Sequence, residues 1–115
     1  MINIETRNHL VNVAVMGQFT LADFKELEDT VMYKIKFEGG VNLLFDLRDM
    51  VKLTVDVVWE EIKFARDHRF DLWKIAVVTD SQWIAWSAWL TSLFTYAETR
   101  VFDDYNLSSD WVAAF

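Results

Sequence analysis

Four polar side chains stand where an α/β protein could do chemistry: Asp46, Glu60, His68 and Asp80. Asp46 and Asp80 each follow an apolar run, Val41–Phe45 and Trp73–Val78. Such runs read as parallel strands, and open α/β sheets bind ligands beyond the carboxyl ends of their strands. Two acids on one rim would suit acid–base work. The structural alternative weighs more: Asp80 as a helix cap, Asp46 as a turn acid bonded to nearby backbone N–H groups. His68, in Asp67-His68-Arg69 at a helix end, fits the negative pole of the helix dipole. As a general base it would need a nucleophile, and no Gly-x-Ser-x-Gly elbow supplies one. With no cysteine, no glycine-rich phosphate loop and His9 remote in a turn, no catalytic residue, metal or cofactor is assigned. The four residues are expected to form a polar rim.

The apolar residues say more. A helix expected from Gln82 to about Phe94 has Trp83, Trp86, Leu90, Leu93 and Phe94 on one face and Ile84, Ala85, Ala88 and Trp89 on much of the other, with no charge to mark a solvent side. The helix before it, beginning at Thr54, shows a core stripe of Val55, Val58, Trp59, Ile62 and Ala65. Val57 and Phe64 fall about 180° from that stripe and are expected to face outward. Two neighbouring helices with surplus apolar surface could border a nonpolar crevice. The leading expectation is a binding module for a nonpolar small molecule or lipid, lined by Val57, Phe64, Trp83, Trp86, Leu90 and Phe94, with reversible association at a membrane surface. The alternative is a protein–protein interaction or homo-oligomerisation domain that uses the same faces. An interfacially activated hydrolase built on Asp46, Asp80, Glu60 or His68 is the third and weakest reading.

Composition bounds all three. At 115 residues the chain fits one domain, 1–115, and 53% hydrophobic content argues against disorder. The net charge of −7 repels a phosphate backbone, so nucleic acid is a poor partner. The start, Met1-Ile2-Asn3-Ile4-Glu5, does not read as a signal peptide, and the charge-free stretch from Ser81 to Ala97 holds too many hydroxyl side chains for a membrane span. The cytoplasm, with peripheral membrane contact, is the expected location.

The elements that position these residues follow from periodicity and caps. Ile2–Glu5 and Leu10–Met16 read as an antiparallel hairpin, ended at Gly17. Thr20 with Asp23 signals a capping box ahead of a helix striped by Leu21, Phe24, Leu27, Val31 and Ile35, closed by Gly39-Gly40. Val41–Phe45 reads as a buried strand, interrupted only by Asn42 and ended by Asp46-Leu47-Arg48-Asp49. The second helix ends near Arg69. After Trp73–Val78 and the third helix come a short strand, Thr99–Phe102, and a terminal helix from Asp110 to Phe115 capped by Ser108 or Ser109. The order β-β-α-β-α-β-α-β-α predicts an α/β fold: one mixed, mainly parallel five-stranded sheet with an antiparallel first strand and four helices.

Several blocks of text resemble the bacterial SpoIIAA-like family: Val41–Arg48, Trp59–Phe64 with His68, Lys74–Asp80 with Trp83, Ala97–Asp103, and the late Trp111. The resemblance runs nearly end to end. It implies the fold shared by STAS and CRAL-TRIO (SEC14-type) domains, and nonpolar ligand carriage or membrane association. Two departures stand out. STAS antagonists of anti-sigma factors are switched by phosphorylation of a serine in an Asp-Ser-Ser-Gly-like segment before a helix, where Asp49–Thr54 here offers only Thr54. The glycine usual before the family's aspartate is Thr79.

Overall fold

The computed structural model describes residues 1–53, 55–68, 71–81, 84 and 97–114. Five strands, β1 (Ile2–Arg7), β2 (Leu10–Phe19), β3 (Val41–Leu53), β4 (Leu72–Val78) and β5 (Glu98–Phe102), lie side by side in chain order in one sheet. β1 runs antiparallel to β2, and every other neighbouring pair is parallel. The mixed, mainly parallel sheet is the one expected. Three helices, not four, stand among the described residues: α1 (Leu21–Glu38), α2 (Val55–Asp67) and α3 (Tyr105–Ala113). The further helix expected over 82–94 falls, Ile84 apart, outside the described residues.

Strand order that follows chain order, with crossovers of one hand, carries α1 and α2 to the same face of the sheet. Val11, Val13 and Val15 of β2, Leu43 of β3 and Ile75 and Val77 of β4 meet Phe24, Leu27 and Val31 of α1 and Val57 of α2 there. The opposite face of β3 and β4 presents Leu44, Ala76 and Val78 to Val112 of α3. Cover on both faces is why these two strands read as continuous apolar runs.

Local chemistry sets the boundaries. Thr20 Oγ1 accepts from the Asp23 N–H and Asp23 Oδ2 accepts from the Thr20 N–H, both at 3.1 Å, so the expected capping box forms. Gly17 does not end β2: at φ 69° it sits at an irregularity in the β2–β3 pairing, and the strand continues to Phe19. β3 likewise runs past Phe45 to Leu53, paired with that extension. The apparent turn Asp46-Leu47-Arg48 is strand because it alternates, with Leu47 buried between two polar neighbours. α3 starts well before Asp110. Its cap is Asp104, whose Oδ1 accepts from the N–H of Asn106 at 2.8 Å and of Leu107 at 3.2 Å. Ser108 lies inside the helix and donates to the Tyr105 carbonyl at 2.7 Å.

Candidate functional site

The polar rim residues are engaged locally. Asp46, within β3 and paired in register with Val78, takes a two-pronged grip from Arg48: Nε to Oδ1 at 2.8 Å and Nη2 to Oδ2 at 2.7 Å. The Arg48 side chain holds the Asp46 carboxyl below the usual carboxylate range, against an opposing push from burial. The Arg48 guanidinium in turn lies 5.0 Å from the centre of the Tyr105 ring, and the Tyr105 hydroxyl accepts from Asn12 Nδ2 at 2.8 Å. Asp46 therefore anchors a clamp that joins β2, β3 and α3. It lies within a strand and not a turn.

Asp80 is exposed just past β4, and the capping bond near it comes from Ser81, whose Oγ accepts from the Ile84 N–H at 3.4 Å. Glu60 pairs with Lys63 at 2.9 Å. His68 holds its ring 4.6 Å from that of Phe64 and tilted against it, with Nδ1 3.4 Å from Asp71 Oδ2. Among the described residues no three acidic or histidine side chains gather to hold a metal.

The expected orientation of α2 is rotated. Trp59, read as core, is 58% exposed, while Val57, read as outward, is fully buried. Phe64 is partly buried and packs on the core, edge-on to Phe24 of α1 at 6.2 Å. The inward face is Val57, Glu61, Phe64 and His68, which fall within about 60° of one another on a helix. A stripe drawn through apolar residues alone rejects Glu61 and is right only in part: Ile62 is buried as expected, whereas Trp59 is not. Of the expected ligand contacts, Val57 is thus core. Trp83, Trp86, Leu90 and Phe94 lie outside the described residues.

Between α1, α2 and the sheet lies a cavity of about 80 Å³. Apolar side chains such as Phe24, Leu43, Phe45, Phe64 and Val77 line most of it, with Glu28, Glu61 and Thr99 the polar exceptions. Small-molecule sites occupy roughly 300–1,000 Å³. Burial pushes the Glu61 carboxyl up to about 8.

The outward face of α1 displays two aromatic rings that lie outside its apolar stripe. Tyr33 and Phe37 of α1 are each 64% exposed, with ring centres 4.7 Å apart. The signal was present: both fall opposite the Phe24/Leu27/Val31 stripe. No helix among the described residues is long and apolar enough to cross a membrane.

The SpoIIAA-like family model matches residues 10–113. No curated protein matches the chain in sequence. Solved structures share the fold, among them the following three. A DUF3478-family protein from Shewanella loihica with a SpoIIAA-like fold is 18% identical, with 98% of this chain and 93% of that one covered and a TM-score of 0.75. The anti-sigma factor antagonist SpoIIAA, in its unphosphorylated form, is 9% identical over the whole of both chains, with a TM-score of 0.66. An anti-sigma factor antagonist from Mycobacterium paratuberculosis is 16% identical, covering 99% and 94%, with a TM-score of 0.62. None of these three is of the CRAL-TRIO or SEC14 type, and that side of the expected resemblance finds no support.

Proposed function

We propose that this chain, which belongs to the SpoIIAA-like family, works as a protein-interaction module that operates without the phosphoserine switch of STAS antagonists. The observation that carries the reading is the outward display of Tyr33, Phe37 and Trp59 on helices whose opposite faces already fill the core. A helix needs one apolar face to pack, and tyrosine and tryptophan rings held in water are the residue types that anchor protein interfaces. Two of the structural relatives are anti-sigma factor antagonists, which points to a partner of anti-sigma-factor type. The small cavity and the interior position of Val57 favour this reading over nonpolar ligand carriage.

Calorimetric titration of the chain against the anti-sigma factors encoded in the same genome tests the proposal. Binding is expected, and Trp59→Glu or Tyr33→Glu should weaken it roughly thirtyfold, the effect of losing one anchoring ring worth about 2 kcal/mol. Sedimentation of the chain alone separates self-association from partner binding. A chain that stays monomeric and binds none of these proteins would overturn the reading.

A further inference from the structure

Glu61 is the one residue of the α2 inward face whose chemistry opposes its position. It lines the apolar cavity beneath the helix, and no hydrogen bond or ion pair to its carboxyl is found among the described residues. No lysine or arginine stands among the described lining residues. From α1 the only charged group facing the cavity is another acid, Glu28, and from the sheet the polar group is the neutral Thr99, whose Oγ1 is buried without a partner. Along α2 the same face continues to His68, whose imidazole lies beside Asp71. Among the described residues a carboxylate formed in this space would have neither a cation nor a committed donor to hold it, whereas the protonated acid carries no charge to desolvate.

We propose that Glu61 makes α2 a proton-operated latch: with its carboxyl protonated the helix stays packed on the sheet, and loss of that proton releases it. The apolar side chains of Val57 and Phe64 leave the core with it and become available at the surface. The direction follows from linkage. The acid ionises at about 8 when packed and near 4.5 when released, so the packed form binds the extra proton between those limits. The latch is fully engaged below the lower value. Above it the released fraction grows roughly tenfold per pH unit, and the growth levels off once pH passes the upper value.

Amide hydrogen exchange of the full chain from pH 5.5 to 8, corrected for the intrinsic rate of exchange, tests this. Protection of α2 should fall roughly tenfold per pH unit, while that of the β2 and β3 core stays level. Glu61→Gln, which keeps the shape and cannot ionise, should flatten the α2 profile, and His68→Asn should leave the slope in place. A pH-independent α2 in the natural chain, or the full slope surviving in Glu61→Gln, would overturn the proposal. If Glu61→Gln fails to fold, carbon NMR of the Glu61 carboxyl in the natural chain decides. A midpoint above 7 supports the latch, and an ordinary carboxylate midpoint refutes it.

Discussion

The two faces of the sheet treat buried polar groups in opposite ways. Beneath α3 they are matched: Asn42, almost without exposure, donates from Nδ2 to the Val112 carbonyl at 2.9 Å and accepts at Oδ1 from the Lys74 N–H at 3.1 Å. Lys74 Nζ then donates to the Trp111 carbonyl at 3.1 Å, at the negative end of α3. Beneath α1 and α2, Glu61 and Thr99 border a cavity, and Thr99 Oγ1 has no partner. A satisfied buried network fixes one geometry, and an unsatisfied one lowers the cost of opening. α3 is therefore read as the clamped side of the molecule and α2 as the side that yields.

The largest effect should come from breaking the clamp. Asn42→Ala leaves the Val112 carbonyl and the Lys74 N–H unpaired in the interior, each costing about 1–3 kcal/mol. Urea denaturation should show a loss of about 2–4 kcal/mol. A loss under about 0.5 kcal/mol would mean that the face beneath α3 is no better held than the other.

A smaller effect with a distinctive pH signature is expected at Asp46. Its carboxyl is held below the usual range by Arg48, so the folded state binds fewer protons than the unfolded state. The contribution is present above the ordinary carboxylate range and disappears as pH falls through the lowered folded value. Asp46→Asn should cost about 0.5–1 kcal/mol near neutrality, in keeping with a partly exposed ion pair, and nothing in strong acid. The Glu61 side runs the other way and loses stability as pH rises. Stability curves of Asp46→Asn and Glu61→Gln that bend in the same direction would remove the contrast between the faces.

Much of this was legible before any coordinates. The sheet followed from the apolar runs and from strand–helix alternation, and α1 from the reciprocal chemistry of Thr20 and Asp23. Asn42 already stood out as the only break in an apolar run, although a sequence does not say which carbonyl a lone amide reaches. The site was harder. The face of α2 is legible only in part, through the buried Ile62, because amphipathic stripes are drawn by residue type, and here a carboxylic acid lines the cavity while a tryptophan points out. Asp46 looked like a turn acid because its partner Arg48 shares its side of the chain only if the strand continues, and that depends on pairing with the far end of β2. α3 was placed late because Ser108 and Ser109 imitate a cap that Asp104 provides.

The finest probe of the contrast is a pair of substitutions that each delete one hydroxyl. Ser108 is fully buried and its Oγ is used, so Ser108→Ala removes a made hydrogen bond and should cost about 1 kcal/mol. The Thr99 hydroxyl is buried and unused, so Thr99→Val exchanges an orphaned polar atom for a methyl group of the same shape on an apolar wall. The β-branch that suits β5 is retained. Thr99→Val should thus stabilise the fold by about 0.5–1 kcal/mol, read as a higher urea midpoint at unchanged slope. Opposite signs for the same chemical deletion locate the difference in the surroundings and not in the hydroxyl. A Thr99→Val variant as destabilised as Ser108→Ala would mean that the Thr99 hydroxyl is satisfied in solution, and the face beneath α1 and α2 would then be held as firmly as the one beneath α3.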